Sequence, residues 1–290
     1  MINFDYAKVT NPVLSLDKIH VRDPAVLIHD DIIYLFFTYY NPEKNTWHVG
    51  MNTTEDFVRF NEVSIISPEG YASPGNVLRI NDKWVICYQQ YREFPHYICL
   101  SYSKDLTKWS RPVKIFNTGP ENKWNIDKRV IDPYLVEWQG SYYCYYTGST
   151  RWGKKSGHNL IGVAFSTDLE NWKDISSDKP VIGVDYPWEE PDGCENNCVI
   201  RHQEKWHMLY SASLINQKIA YAISDDLINW GKRGLCHVPD FEASAYHFGA
   251  PFIIEGLPVS DRFYMIYQGR SSGGHMSFLL LESNDLVNWH

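Results

Sequence analysis

Three carboxylates in this chain share a spacing that suggests paired acid–base chemistry. Asp23 stands 15 residues ahead of Thr38, Asp132 stands 15 ahead of Thr147, and Glu195 stands 16 ahead of Ser211. Each interval holds two runs rich in β-branched and aromatic residues, parted by a polar turn, so each acid opens the first strand of a hairpin. Carboxylates gathered at one place repel, and burial raises the pKa of at least one of them. A protonated carboxyl facing an ionised one is what glycosidic cleavage needs. The first protonates the leaving oxygen, and the second activates water or attacks carbon. An acid before proline also starts turns, so Asp23-Pro24 or Asp132-Pro133 alone would mean little. The register shared by three acids gives them weight.

What must hold these acids is a unit repeated five times. Its marker is an acidic turn closed by an aromatic residue: Thr53–Phe60, Ser103–Trp109, Ser166–Trp172, Ser224–Trp230 and Ser283–Trp289, at intervals of 49 to 63 residues. In the third unit Tyr134–Trp138, Tyr142–Thr147, Leu160–Ser166 and a run through Pro180–Ile182 read as four strands. No segment keeps a 3.6-residue period over eleven or more residues. The expected fold is therefore all-β: a five-bladed β-propeller of four-stranded antiparallel blades, one domain over residues 1–290. The fifth unit has three strands before Trp289-His290. Residues 9–16, which include Asn11-Pro12-Val13-Leu14, are expected to supply its fourth and close the ring. The recurrent Asp is expected to bind turn N–H groups, and the Trp to anchor the turn. In such a ring the acid-bearing strand entries of blades one, three and four converge on one end of the axis. Blades two and five are expected to carry Ser73-Pro74 and His247 there.

Composition narrows the function. The net charge of −8, without a basic run, argues against a nucleic-acid surface. No stretch approaches 18 consecutive apolar residues, which argues against a membrane span. Met1–Asp5 lacks a basic segment followed by an apolar one, so the expected location is cytoplasmic. Cys87, Cys99, Cys144, Cys194, Cys198 and Cys236 lie mostly in apolar runs and read as buried free thiols. Cys194 and Cys198 lack the second pair that a zinc site needs.

Arg22-Asp23-Pro24-Ala25-Val26, Ile131-Asp132-Pro133 and the Glu195 segment, in that order on a five-unit array, resemble glycoside hydrolase family 43. The likeness extends to its five-bladed relatives of families 32, 68, 117 and 130, and it covers essentially the whole chain. It implies that Asp23 is the general base, that Asp132 tunes and orients the acid, that Glu195 is the general acid, and that the anomeric centre is inverted. Asn196-Asn197 depart from the Gly-Pro usual after the acid, and Glu190, in Trp188–Gly193, is the reserve acid. Loops on the acid side carry Trp47, Arg92, Phe94, His96, Arg151, Trp152 and Arg270. With Arg22, Glu190 and His247, the residues Trp47, Arg92, Trp152 and Arg270 are the candidate substrate contacts. The resemblance further implies that His247 lies near the axis and binds a water or a metal ion. A hydrated Ca²⁺ or Na⁺ would be the ion expected, and the chemistry requires no cofactor.

The expected activity is an inverting, exo-acting glycosidase on arabinofuranose- or xylose-type oligosaccharides. A retaining fructosidase-like enzyme would use Asp23 as nucleophile. Against it, Arg22 rather than Asn precedes Asp23, and no Cys follows Glu195. A phosphorylase would need a basic pocket, for which Arg22, Arg92, Arg151 and Arg270 are available. The alternative without catalysis is a carbohydrate-binding propeller.

Overall fold

A strand buried on both faces needs apolar residues in both phases, and that is how the middle strands of this chain read. Leu35-Phe36-Phe37 and Leu279-Leu280-Leu281 are fully buried without alternation. The computed structural model describes residues 4–151, 156–257 and 262–290, and among them twenty strands form five antiparallel sheets. Blade one contains β1 (His20–His29), β2 (Ile32–Asn41), β3 (Thr46–Thr54) and β4 (Ser64–Ile65). In blade two the inner strand is split into β5 (Tyr71–Ala72) and β6 (Val77–Ile80), both paired with β7 (Lys83–Gln90), and β8 (Tyr97–Ser103) and β9 (Val113–Phe116) follow. Blade three contains β10 (Ile131–Trp138), β11 (Ser141–Ser149), β12 (Asn159–Ser166) and β13 (Lys173–Asp174). Blade four contains β14 (Cys194–His202), β15 (Lys205–Ala212), β16 (Lys218–Ser224) and β17 (Trp230–Leu235). Blade five contains β18 (His247–Ile254), β19 (Phe263–Arg270) and β20 (Met276–Ser283). The fold is the five-bladed propeller expected from the repeat. The six cysteines are buried and unpaired.

The N-terminal segment lies along β20 as the fourth member of blade five. Val13 N–H donates to the Phe278 carbonyl at 2.8 Å, and Phe278 N–H donates to Leu14 at 2.9 Å. The Asn11 amide spans the Leu280 backbone, donating to its carbonyl at 2.9 Å and accepting its N–H at 2.8 Å. In blade three the outer edge is divided: Lys173–Asp174 is the strand, and Ile182 makes a separate bridge to Ile161.

The turn markers are built alike. Asp226 Oδ1 accepts the N–H groups of Ile228 and Asn229 at 3.0 and 2.7 Å. The indole N–H of Trp230 donates to the Leu227 carbonyl at 3.3 Å, and its ring meets Tyr145 of the preceding blade. Leu106, Leu169, Leu227 and Leu286 all take positive φ. These strained turns persist because side chain and backbone fix them from both sides.

A second repeated feature sets the axis. Every inner strand is kinked near its entry, at a residue with positive φ: Asp23 (53°), Ser73 (48°), Asp132 (50°), Asn196 (46°) and Ala250 (47°). The register shifts there in blades one, three, four and five, and in blade two the strand breaks. In four of the five blades a side chain of the preceding blade receives the kink N–H. Asp23 donates to Gln268, Ser73 to Thr38, Asp132 to Gln89 and Ala250 to Ser211, at 2.7 to 3.1 Å.

These kinks correct the register expected from spacing. Glu195 pairs with Ser211 as Arg22 pairs with Thr38 and Ile131 with Thr147. Glu195 therefore stands one residue before its kink, and Asn196 holds the place of Asp23 and Asp132. The interval of 16 against 15 was the mark of that offset. In blade five the equivalent place belongs to Ala250-Pro251, not to His247, which pairs with Arg270 three residues earlier.

Candidate active site

Asp23, Asp132 and Glu195 line one pocket of about 50 Å³ at the mouth of the axis. Each is at most 8% exposed. Beneath it, the five kink residues ring a smaller cavity of about 20 Å³. A larger groove of about 520 Å³ lies between Ile175–Val181 and Ile228–Gly231 and contains none of the three acids.

Asp23 is held by donors from three blades. Its Oδ2 accepts Thr38 Oγ1 at 2.7 Å and Ser73 Oγ at 3.0 Å, and its Oδ1 accepts Asn196 Nδ2 at 3.3 Å. A carboxylate has about four lone-pair sites, so roughly one on Oδ1 is left for a water. Glu195 receives two amides instead: Asn159 Nδ2 on Oε2 at 2.9 Å and Gln217 Nε2 on Oε1 at 3.1 Å. Two glycines allow this approach. A Cβ on Gly249 would stand 2.3 Å from Gln217 Oε1, and one on Gly193, where φ is +94°, would stand 2.0 Å from the Asn159 carbonyl.

The electrostatics separate the acids. Burial pushes the Glu195 carboxyl up, against the pull of Arg129 and Arg22. Burial, then Glu195, then Asp23 push Asp132 up to about 8. Asp132 Oδ2 is buried and has no hydrogen-bond partner among the described residues. Two carboxyls pushed towards their protonated forms beside a third acid are an arrangement that acid–base cleavage of a glycosidic bond can use.

A family model described as glycosyl hydrolases family 32 N-terminal domain matches residues 119–290. The chain belongs to this glycosyl hydrolase family. No curated protein matches the chain. Among solved structures, the hydrolase is similar to a chain titled only as a glycoside hydrolase, at 13% identity and a TM-score of 0.75, covering 93% of this chain and 89% of that one. A thermostable family-43 glycoside hydrolase aligns at 20% identity and a TM-score of 0.72, over 95% and 92% of the two chains. An α-L-arabinofuranosidase from Lactobacillus brevis aligns at 16% identity and a TM-score of 0.71, over 98% and 96%. These likenesses concern the fold.

The remaining candidates divide by position. Arg22 and Trp47 line the pocket, and Trp47 stacks on Tyr40 at 3.9 Å and leans on Tyr91 at 4.7 Å. Arg92 is tied at the rim, 2.7 Å from Glu69 and 2.6 Å from the Asn45 carbonyl. Glu190 pairs with His158 at 2.8 Å on the exposed side of its loop. Arg270 lies over Tyr246. Trp152 lies outside the described residues. At His247, burial and the nearby Arg270 and Arg22 pull the imidazole down to about 4. One imidazole whose pKa two nearby guanidinium groups lower does not suit a cation. Among the described residues no group of three or more His, Cys, Asp or Glu side chains is placed to hold a metal.

Arg129, Asn159, Asn196 and Gln217 escape the reading by sequence. Asn196 was within reach, because Xaa-Pro pairs at Asp23, Ser73, Asp132 and Ala250 define a position that blade four fills with Asn196-Asn197. The other three sit at or next to loops, where no period marks them.

Proposed function

We propose that this hydrolase cleaves terminal arabinofuranose- or xylose-type units from oligosaccharides with inversion, Asp23 acting as base and Glu195 as acid. The observation that carries the reading is the contrast between two carboxyls in one pocket. Asp23 accepts hydrogen bonds from Thr38, Ser73 and Asn196, whereas burial pushes the Glu195 carboxyl up. In the forward step Asp23 takes a proton from water as its oxygen bonds the anomeric carbon, and Glu195 protonates the departing oxygen. Asp132, itself raised by burial and its neighbours, adds little negative charge near neutrality and so leaves the pair's roles intact. The arabinofuranosidase among the similar structures supports the sugar class.

Glu195→Gln and Asp23→Asn are each expected to lower kcat by at least about 10²-fold, with melting temperatures near that of the parent. If Glu195→Gln keeps turnover while Glu190→Gln loses it, the acid is Glu190. A second reading, retention, is prompted by the family-32 match, which spans residues 119–290 and leaves Asp23 outside it. NMR of the first anomer released from aryl arabinofuranosides, xylosides and fructosides decides between them, since a retained anomer overturns inversion.

A further inference from the structure

Two guanidinium groups in the pocket form no hydrogen bond to the acid–base pair. Arg22 precedes Asp23, and Arg129 stands three residues before Asp132. Both line the pocket that holds the three acids. Among the described residues neither guanidinium makes a hydrogen bond or an ion pair, and the Nε of each is shielded from solvent without a partner. Arg22 lies over the Trp47 ring at 5.9 Å, near the outer limit of a cation–π contact. Two other basic groups of this face are engaged elsewhere. Arg92 bonds Glu69 and Asn45, and Arg151 bonds Asp192 at 3.0 Å and the Gly157 carbonyl at 2.8 Å.

A guanidinium offers five N–H donors in a planar fork that matches two oxygens of a carboxylate or phosphate. The charge count points the same way. Burial pushes Asp132, to about 8, and Glu195 towards their protonated forms, so these two acids offer the two guanidinium groups little compensating charge.

We propose that Arg22 and Arg129 form an oxyanion subsite, taking the carboxylate of a uronic-acid-type sugar or an inorganic phosphate beside the scissile bond. The place of that bond rests on the glycosidase reading; the binding does not. If phosphate is the occupant, one of its oxygens replaces water. It bonds the anomeric carbon, the glycosidic C–O bond breaks, and Glu195 protonates the leaving oxygen, giving a sugar phosphate.

The test uses glucuronate, phosphate and xylose, titrated by calorimetry into the full chain carrying Glu195→Gln. Xylose is the glucuronate ring without its carboxylate, so the pair isolates the charge. Glucuronate or phosphate is expected to bind at least tenfold more tightly than xylose. Adding Arg129→Gln or Arg22→Gln should remove that preference. Equal binding of all three, or a preference that survives both substitutions, overturns the subsite. Arg129→Lys, which keeps the charge without the fork, serves if the Gln variant unfolds, and an undiminished preference in it counts against the proposal. Glucuronate binding alone assigns a sugar carboxylate. Phosphate binding alone, with sugar phosphate seen by ³¹P NMR in the parent enzyme, assigns phosphate. Turnover retained by Glu195→Gln would overturn the acid assignment and leave the binding result standing.

Discussion

Asp132 is raised to about 8 by burial and by Glu195 and Asp23, and this has a consequence for stability. In the unfolded chain an Asp titrates near 3.9, so the folded state binds the extra proton between the two values. The fold is not penalised below the unfolded pKa, and stability is lost as pH rises through the folded one. Asp132→Asn removes that loss. Its melting temperature relative to the parent is expected to climb from pH 5 to pH 9, and a difference independent of pH would refute the burial argument. With Glu195 as the acid proposed above, activity shares the direction: its raised pKa would move the alkaline limb of kcat/KM upward. The three acids were legible because the repeat acts as a ruler, and each falls within one residue of the same kink. Arg129 was not legible. It follows an irregular stretch from Thr118 to Lys128, and only folding places its guanidinium beside the acids.

At the scale of elements, the segment before β14 decides where Glu195 points, and a buried ion pair holds it. Glu189 is 0% exposed and accepts Tyr210 Oη at 2.8 Å, the Asp185 N–H at 2.7 Å and Lys232 Nζ of β17 at 2.7 Å. Lys232 also reaches Asp185 at 2.8 Å and the Gly183 carbonyl at 2.6 Å. Removing one member of such a pair leaves the other charge buried and uncompensated, at a cost of about 3–5 kcal/mol. Lys232→Met is expected to lose that much in urea unfolding, and a loss below about 1 kcal/mol would mean that Glu189 simply takes up a proton. Its kcat should fall as well, because Gly193 N–H bonds the Glu189 carbonyl and Asn159 N–H bonds Asp192 just before Glu195. The sequence displayed Trp188–Gly193 as an acidic run without showing which acids turn inward. Glu189 is buried and Glu190 faces out, a difference that depends on Lys232 and Tyr210 some 20 to 40 residues away. The turn markers were legible because their hydrogen bonds are local, within Ser224–Trp230 for example.

For the whole molecule, the ring closes where β20 meets the N-terminal segment. Without residues 4–16, β20 would present its outer edge, and Phe278 and Leu280, now fully buried, would lose part of their cover. Five blades were legible from five markers, and the candidate closing segment from its apolar residues. The device that fixes its register, the Asn11 amide on both backbone groups of Leu280, depends on geometry across 269 residues. That device makes the sharper test. Asn11→Ala strips the partners from one N–H and one carbonyl, each costing about 1–3 kcal/mol if left unserved. The backbone bonds of Val13 and Leu14 remain, so the substitution should weaken closure without abolishing it. A lower melting temperature with turnover retained at 25 °C is expected for Asn11→Ala. Deleting residues 4–16 should go further, giving concentration-dependent light scattering as the bare edge of β20 pairs between molecules. If the deletion melts like the parent and scatters no more light, blade five is self-sufficient and the closing strand contributes little.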